Sequence, residues 1–122
     1  KIEIGDTSTG REPPNDFQLF IGEGIKKMGY EIKHEVGVSG FFIDIGVKHK
    51  SFPDGFILGV ECDGRAYHSS KSARDRDILR QEILEGLGWN IYRIWSTDWF
   101  LDPNKELKKL DYYIKELLKK IN

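Results

Sequence analysis

Apolar positions along the chain change period several times, and each change marks an element. Phe17, Phe20, Ile21, Ile25 and Met28 recur at helical spacing. They predict a helix capped by Asn15 or Asp16 that runs to about Met28, with Gly29 as its stop. Gln18 borders the apolar face near Ile25 and can look inward. Residues 30–36 (Y-E-I-K-H-E-V) alternate apolar and polar, the signature of a half-buried strand, and the G-V-S-G of residues 37–40 is a turn. Residues 41–47 (F-F-I-D-I-G-V) are aromatic and β-branched and place Asp44 in mid-strand. After the Pro53-Asp54-Gly55 turn, residues 56–63 (F-I-L-G-V-E-C-D) read as a third, buried strand. Three strands on short connections make an antiparallel meander.

Residues 64–71 form a polar loop. Ser72 followed by Asp75 then opens a helix to about Leu87, stopped by Gly88. Its apolar stripe is Leu79, Ile83, Leu84 and Leu87, and Arg76 and Arg80 fall within that stripe, toward the sheet. Residues 89–95 (W-N-I-Y-R-I-W) are a fourth strand, and residues 96–100 a short helical turn. A last helix begins at Asp102-Pro103, with Leu107, Leu110, Ile114, Leu117 and Ile121 on one stripe. The order helix, three strands, helix, strand, helix predicts an α/β fold with helices flanking one sheet.

The chain of 122 residues suits a single domain over residues 15–122. Residues 1–14, with Gly, Ser, Thr and a Pro-Pro pair, read as a linker or arm. No apolar run approaches the roughly 18 residues of a membrane span, and no signal peptide opens the chain, so no membrane role is expected. A single cysteine, Cys62, excludes a disulfide framework and a cysteine-rich zinc site, and suits a cytoplasmic location. The net charge of −1 gives no bulk electrostatic case for nucleic acid, so any such case rests on local clusters.

One cluster stands out. Glu61 and Asp63 lie on alternate residues of the third strand and share a face, with Cys62 turned the other way. Asp44 sits on the neighbouring strand. Carboxylates at the end of a buried strand are costly unless a cation meets them. Asp44, Glu61 and Asp63 are either structural salt-bridge partners or the ligands and catalytic acids of a site for a hard divalent cation, Mg²⁺ or Mn²⁺. The chemistry that needs such a grouping is phosphodiester hydrolysis. His68, at the mouth of the strand, is either a general acid-base or phosphate contact or a solvated surface histidine. Arg76 and Arg80 either grip a phosphate or pair structurally with acids, and Arg93 and Ser96 are placed to reach a phosphate. Trp89, Tyr92, Trp95, Trp99 and Phe100 are core or base-stacking residues. The lysines of the last helix form a solvated polar face.

The runs G-V-E-C-D-G-R-A-Y-H-S-S, A-R-D-R-D-I-L-R-Q and G-W-N-I-Y-R-I-W-S-T-D-W-F together resemble a branch of the PD-(D/E)xK nuclease superfamily. That branch is similar to very-short-patch repair endonucleases and is often fused to the C-terminal end of superfamily I helicase-like proteins. The resemblance implies a restriction-endonuclease-like fold, order α-β-β-β-α-β-α with a mixed central sheet, and a DNA endonuclease using Mg²⁺ or Mn²⁺ that leaves 5′-phosphate and 3′-hydroxyl ends. It implies metal binding by Asp44 and Glu61, with the Cys62 carbonyl as a further ligand. It further implies phosphate contact or site support from Arg76 and Arg80. Asp63 stands where most of the superfamily has Lys, which leaves His68 as the candidate to handle the proton. Gln18 stands where relatives commonly hold Glu, and Glu23, on the opposite side of the helix, does not substitute for it. DNA and a helicase-like ATPase are the implied partners, in repair or defence. The rival expectation is a weak or inactive nuclease-fold module that binds DNA or a partner.

Overall fold

The computed structural model describes residues 15–64 and 71–121; the predicted N-terminal arm, residues 1–14, lies outside them. The first helix, α1 (Asp16–Lys27), starts where the Asn15 side chain accepts from the Gln18 backbone N–H at 2.9 Å. It stops at Gly29, whose φ of 99° is the left-handed conformation that ends helices. Phe17, Ile21 and Ile25 are buried as the spacing predicts, whereas Phe20 is exposed, at the margin of the stripe.

Strands β1 (Glu31–Val38) and β2 (Phe41–Lys48) form a hairpin whose turn is tighter than the predicted 37–40. Gly37 pairs with Phe42 and Val38 with Phe41, which leaves Ser39 (φ 49°) and Gly40 (φ 84°) as a two-residue loop. Two central residues at positive φ match the twist of the flanking strands, so strand pairing runs on to the very end. Strand β3 (Leu58–Asp63) pairs antiparallel with β2, completing the meander. The crossover helix α2 (Lys71–Gly86) then returns the chain to β4 (Ile91–Trp95), which lies parallel to β3. The sheet is thus mixed, in the order β1-β2-β3-β4. The predicted helical turn is a helix in its own right, α3 (Ser96–Leu101), entered directly from β4 and followed by α4 (Pro103–Ile121).

The main core fills one face of the sheet. Phe17, Ile21 and Ile25 of α1, Trp99 of α3, and Leu110 and Ile114 of α4 pack on Ile45, Val47, Leu58, Val60 and Ile94. A smaller cluster on the other face holds Val36, Ile43 and Leu84 of α2, with Phe56 stacked on Trp89 at 5.4 Å beside them.

Helix α2 departs from its predicted facing. Leu84 is buried, but Ile78 and Leu79 are 59% and 58% exposed, and Ile83 and Leu87 also face solvent. The inward line is Asp77, Arg80, Gln81 and Leu84, spaced i, i+3, i+4, i+7, and most of it is polar. Arg76 is exposed, contrary to its predicted position over the sheet. The cause is the sheet surface below: a buried carboxylate there requires a cation. Leaving that charge unpaired would cost more than exposing a few aliphatic side chains.

Candidate active site

The acids of the third strand meet their partners on the face covered by α2. Glu61 lies opposite Arg93 in the β3–β4 register and reaches upward to Arg80, whose Nη1 stands 2.6 Å from Glu61 Oε2. The Arg80 guanidinium also donates to the carbonyl of Phe42 and lies over the Phe41 ring. One cation thereby ties β2 to β3. Asp63, with a side chain only 2% exposed, accepts from Arg93 Nη1 at 2.9 Å. The Arg93 guanidinium in turn lies 5.7 Å from the centre of the Trp95 ring.

Asp44 and Glu61 are bound to each other's strands. The Asp44 backbone N–H donates to Glu61 Oε1 at 3.2 Å, and the Cys62 N–H donates to Asp44 Oδ2 at 2.7 Å. This exchange sets the two carboxylates side by side across β2 and β3, as the meander predicts. Cys62 faces the main core, and burial pushes its thiol well above the usual range, with Asp44, Glu61 and Glu35 adding to the shift. The thiol therefore stays protonated and offers neither a nucleophile nor a thiolate ligand.

Behind Asp44 lies a group of which the sequence pattern singles out Gln18 but neither His34 nor Glu35. Gln18 is buried, and its amide nitrogen lies 2.9 Å from the Asp44 carbonyl, 3.0 Å from Glu35 Oε2 and 3.0 Å from His34 Nδ1. Two amide hydrogens are shared among these three acceptors. His34 is held below its ordinary pKa, chiefly by burial, against an opposing pull from Glu35. Glu35 has φ 55°, and the β1–β2 pairing skips the Glu35/Asp44 position while keeping one register on either side. Side-chain alternation reverses there: Val36 and Ile43 pack on the α2 face, Ile45 and Val47 on the α1 face. In the sequence Glu35 reads as a solvent-side residue of an alternating strand, and a kinked glutamate carries no local signature. Glu23, on the exposed side of α1, pairs with Lys26 at 2.6 Å.

The structure thus brings together Gln18, Asp44, Glu61, Cys62, Asp63, Arg80 and Arg93. It leaves Arg76 at the surface, and His68 lies outside the described residues. Among the described residues, no three His, Cys, Asp or Glu side chains gather closely enough to bind one ion. Asp44 and Glu61 alone offer hard oxygen donors from two rigid strands. That suits Mg²⁺ or Mn²⁺, which keep several waters and need only one or two protein carboxylates. The donor set fits a hard divalent cation.

A mixed sheet with the meander, crossover and flanking helices of this chain, bearing acids on its second and third strands, is the restriction-endonuclease-like nuclease fold. The chain belongs to the REase_MTES_1575 family of restriction-endonuclease-like domains, whose model matches residues 17–114, and so to the PD-(D/E)xK nucleases. In three dimensions it is similar to the catalytic domain of the homing endonuclease I-Bth0305I, with a TM-score of 0.65 and 16% identity over 84% of this chain and 97% of that one. In sequence it is similar to an uncharacterized ATP-dependent helicase, the MG140 homolog of Mycoplasma pneumoniae, with 27% identity over 96 residues. That match takes in 79% of this chain but only 8% of the helicase.

Proposed function

We propose that this nuclease domain hydrolyses phosphodiester bonds of DNA with Mg²⁺ or Mn²⁺ as cofactor. The observation that carries the reading is the hydrogen-bond exchange that sets Asp44 beside Glu61 on adjacent strands. These two carboxylates would hold the ion, with the Cys62 carbonyl as a further oxygen donor. When bound, the ion supplies an activated water and offsets charge on the scissile phosphate. Arg80 fixes the Glu61 carboxylate, and in this reading its guanidinium also meets the incoming phosphate. Arg93 holds Asp63 in place. In this reading His68 moves the proton, and Arg76, being exposed, contributes to DNA contact rather than to the site's interior. The helicase relative supports a place for the domain in a larger helicase-like protein acting on DNA.

A second reading has its own observation. Arg80 already neutralises Glu61 at 2.6 Å, and Gln18 adds no charge, which favours a weak or inactive module that binds DNA or a partner. A supercoiled-plasmid nicking assay with Mg²⁺ and with Mn²⁺ separates the two. The nuclease reading expects metal-dependent nicking that Asp44→Asn abolishes. Absence of nicking, with DNA binding untouched by the substitution, supports the binding module.

A further inference from the structure

The kink at Glu35 has no role in strand register, because His34 pairs with Ile45 and Val36 with Ile43 in one continuous register on either side of it. Its effect is on direction. In a regular strand, neighbours 34 and 35 would point to opposite faces; here both reach the Gln18 amide. A non-glycine residue in the left-handed region is strained and persists only where its surroundings hold it. The holder here is a buried amide that binds the Glu35 carboxylate and the Asp44 backbone carbonyl together.

We propose that Glu35 is the third carboxylate of this site, acting through water on a divalent cation held by Asp44 and Glu61, with Gln18 as its positioning residue. This rests on the metal reading above. Action through water, rather than direct ligation, agrees with the lack of any three-ligand group among the described residues. Carboxylates that hold an ion's waters orient them and tune affinity.

The test is Mn²⁺ binding, read by electron paramagnetic resonance of the free ion on the 122-residue chain, with thermal unfolding as the control for folding. Glu35→Gln keeps shape and removes charge, and is expected to weaken Mn²⁺ binding about tenfold with the melting temperature retained. Glu35→Asn, whose side chain tolerates the left-handed backbone, should show the same loss and serves if the first variant unfolds. Gln18→Leu removes the positioning amide but keeps the carboxylate, so its loss should be smaller. Wild-type Mn²⁺ affinity in both Glu35 variants, alongside loss in Asp44→Asn, overturns this proposal and leaves the metal site standing. A larger loss in Gln18→Leu than in Glu35→Gln also overturns it, by assigning the effect to the helix. No Mn²⁺ binding by the wild-type chain overturns the metal reading and this proposal with it.

Discussion

Arg80 meets two demands with one guanidinium. It neutralises Glu61 at 2.6 Å and donates to the Phe42 carbonyl. Because the Glu61 side chain is only 8% exposed, removing its cation leaves a buried charge. Arg80→Met should therefore destabilise the fold by about 3–5 kcal/mol, and adding Glu61→Gln should recover much of that in urea unfolding. An additive double variant would show that the pair is not coupled. His34 makes a prediction of the opposite kind. Its folded pKa lies below the unfolded value of 6.5, so the unfolded chain takes up the proton first. The contribution to stability is complete above pH 6.5 and falls as the pH drops through that value toward the folded pKa. Wild type should lose more stability than His34→Gln on acidification through this window, as urea midpoints would report. At this scale the sequence was partly legible: alternation alone put Glu61 and Asp63 on one face. Glu35 was hidden, because its direction comes from a backbone kink and a residue 17 positions earlier.

Among the elements, α2 shows where periodicity misleads. Its most hydrophobic stripe faces solvent, and the line over the sheet is Asp77, Arg80, Gln81 and Leu84. Leu84→Ala should cost about 2–5 kcal/mol, whereas Leu79→Gln should stay within about 0.5 kcal/mol of wild type. Chemical denaturation of the two variants checks this, and similar losses would restore the stripe as a packing face. The strands were easier to read than the helix because most of their apolar side chains pack into the two clusters on either face of the sheet. The facing of α2 was decided by a buried acid on another element, information no window of helix sequence contains. By contrast, α4 buries Leu110 and Ile114 along its predicted stripe, although Ile121 at its end is exposed.

For the whole molecule, the balance of charge limits what the domain can do alone. With a net charge of −1, long-range attraction to a polyanion is weak. If the domain works within a helicase-like protein, tethering supplies the local concentration that its own surface does not. The isolated domain should then bind duplex DNA far more weakly than the longer protein in a salt titration. Equal affinities would refute the tether. The fold class was legible in the order of elements, and the strand pattern alone placed Asp44, Glu61 and Asp63 on their strands. Neither reveals how the two faces of the sheet divide labour, with the main core under α1, α3 and α4 and the charged groups under α2.

The kink at Glu35 has one more effect, on what the protein avoids. Strand β1 lies at the margin of the sheet and so carries a row of backbone groups that a foreign strand can join. A residue at φ 55° in the middle of that row breaks its regular repeat, and exposed Glu31 and Lys33 add charge beside it. A variant relaxed to extended backbone at position 35 would present a longer uninterrupted edge and should aggregate more readily during refolding. The strain at Glu35 is thus also a break in the free edge of the sheet.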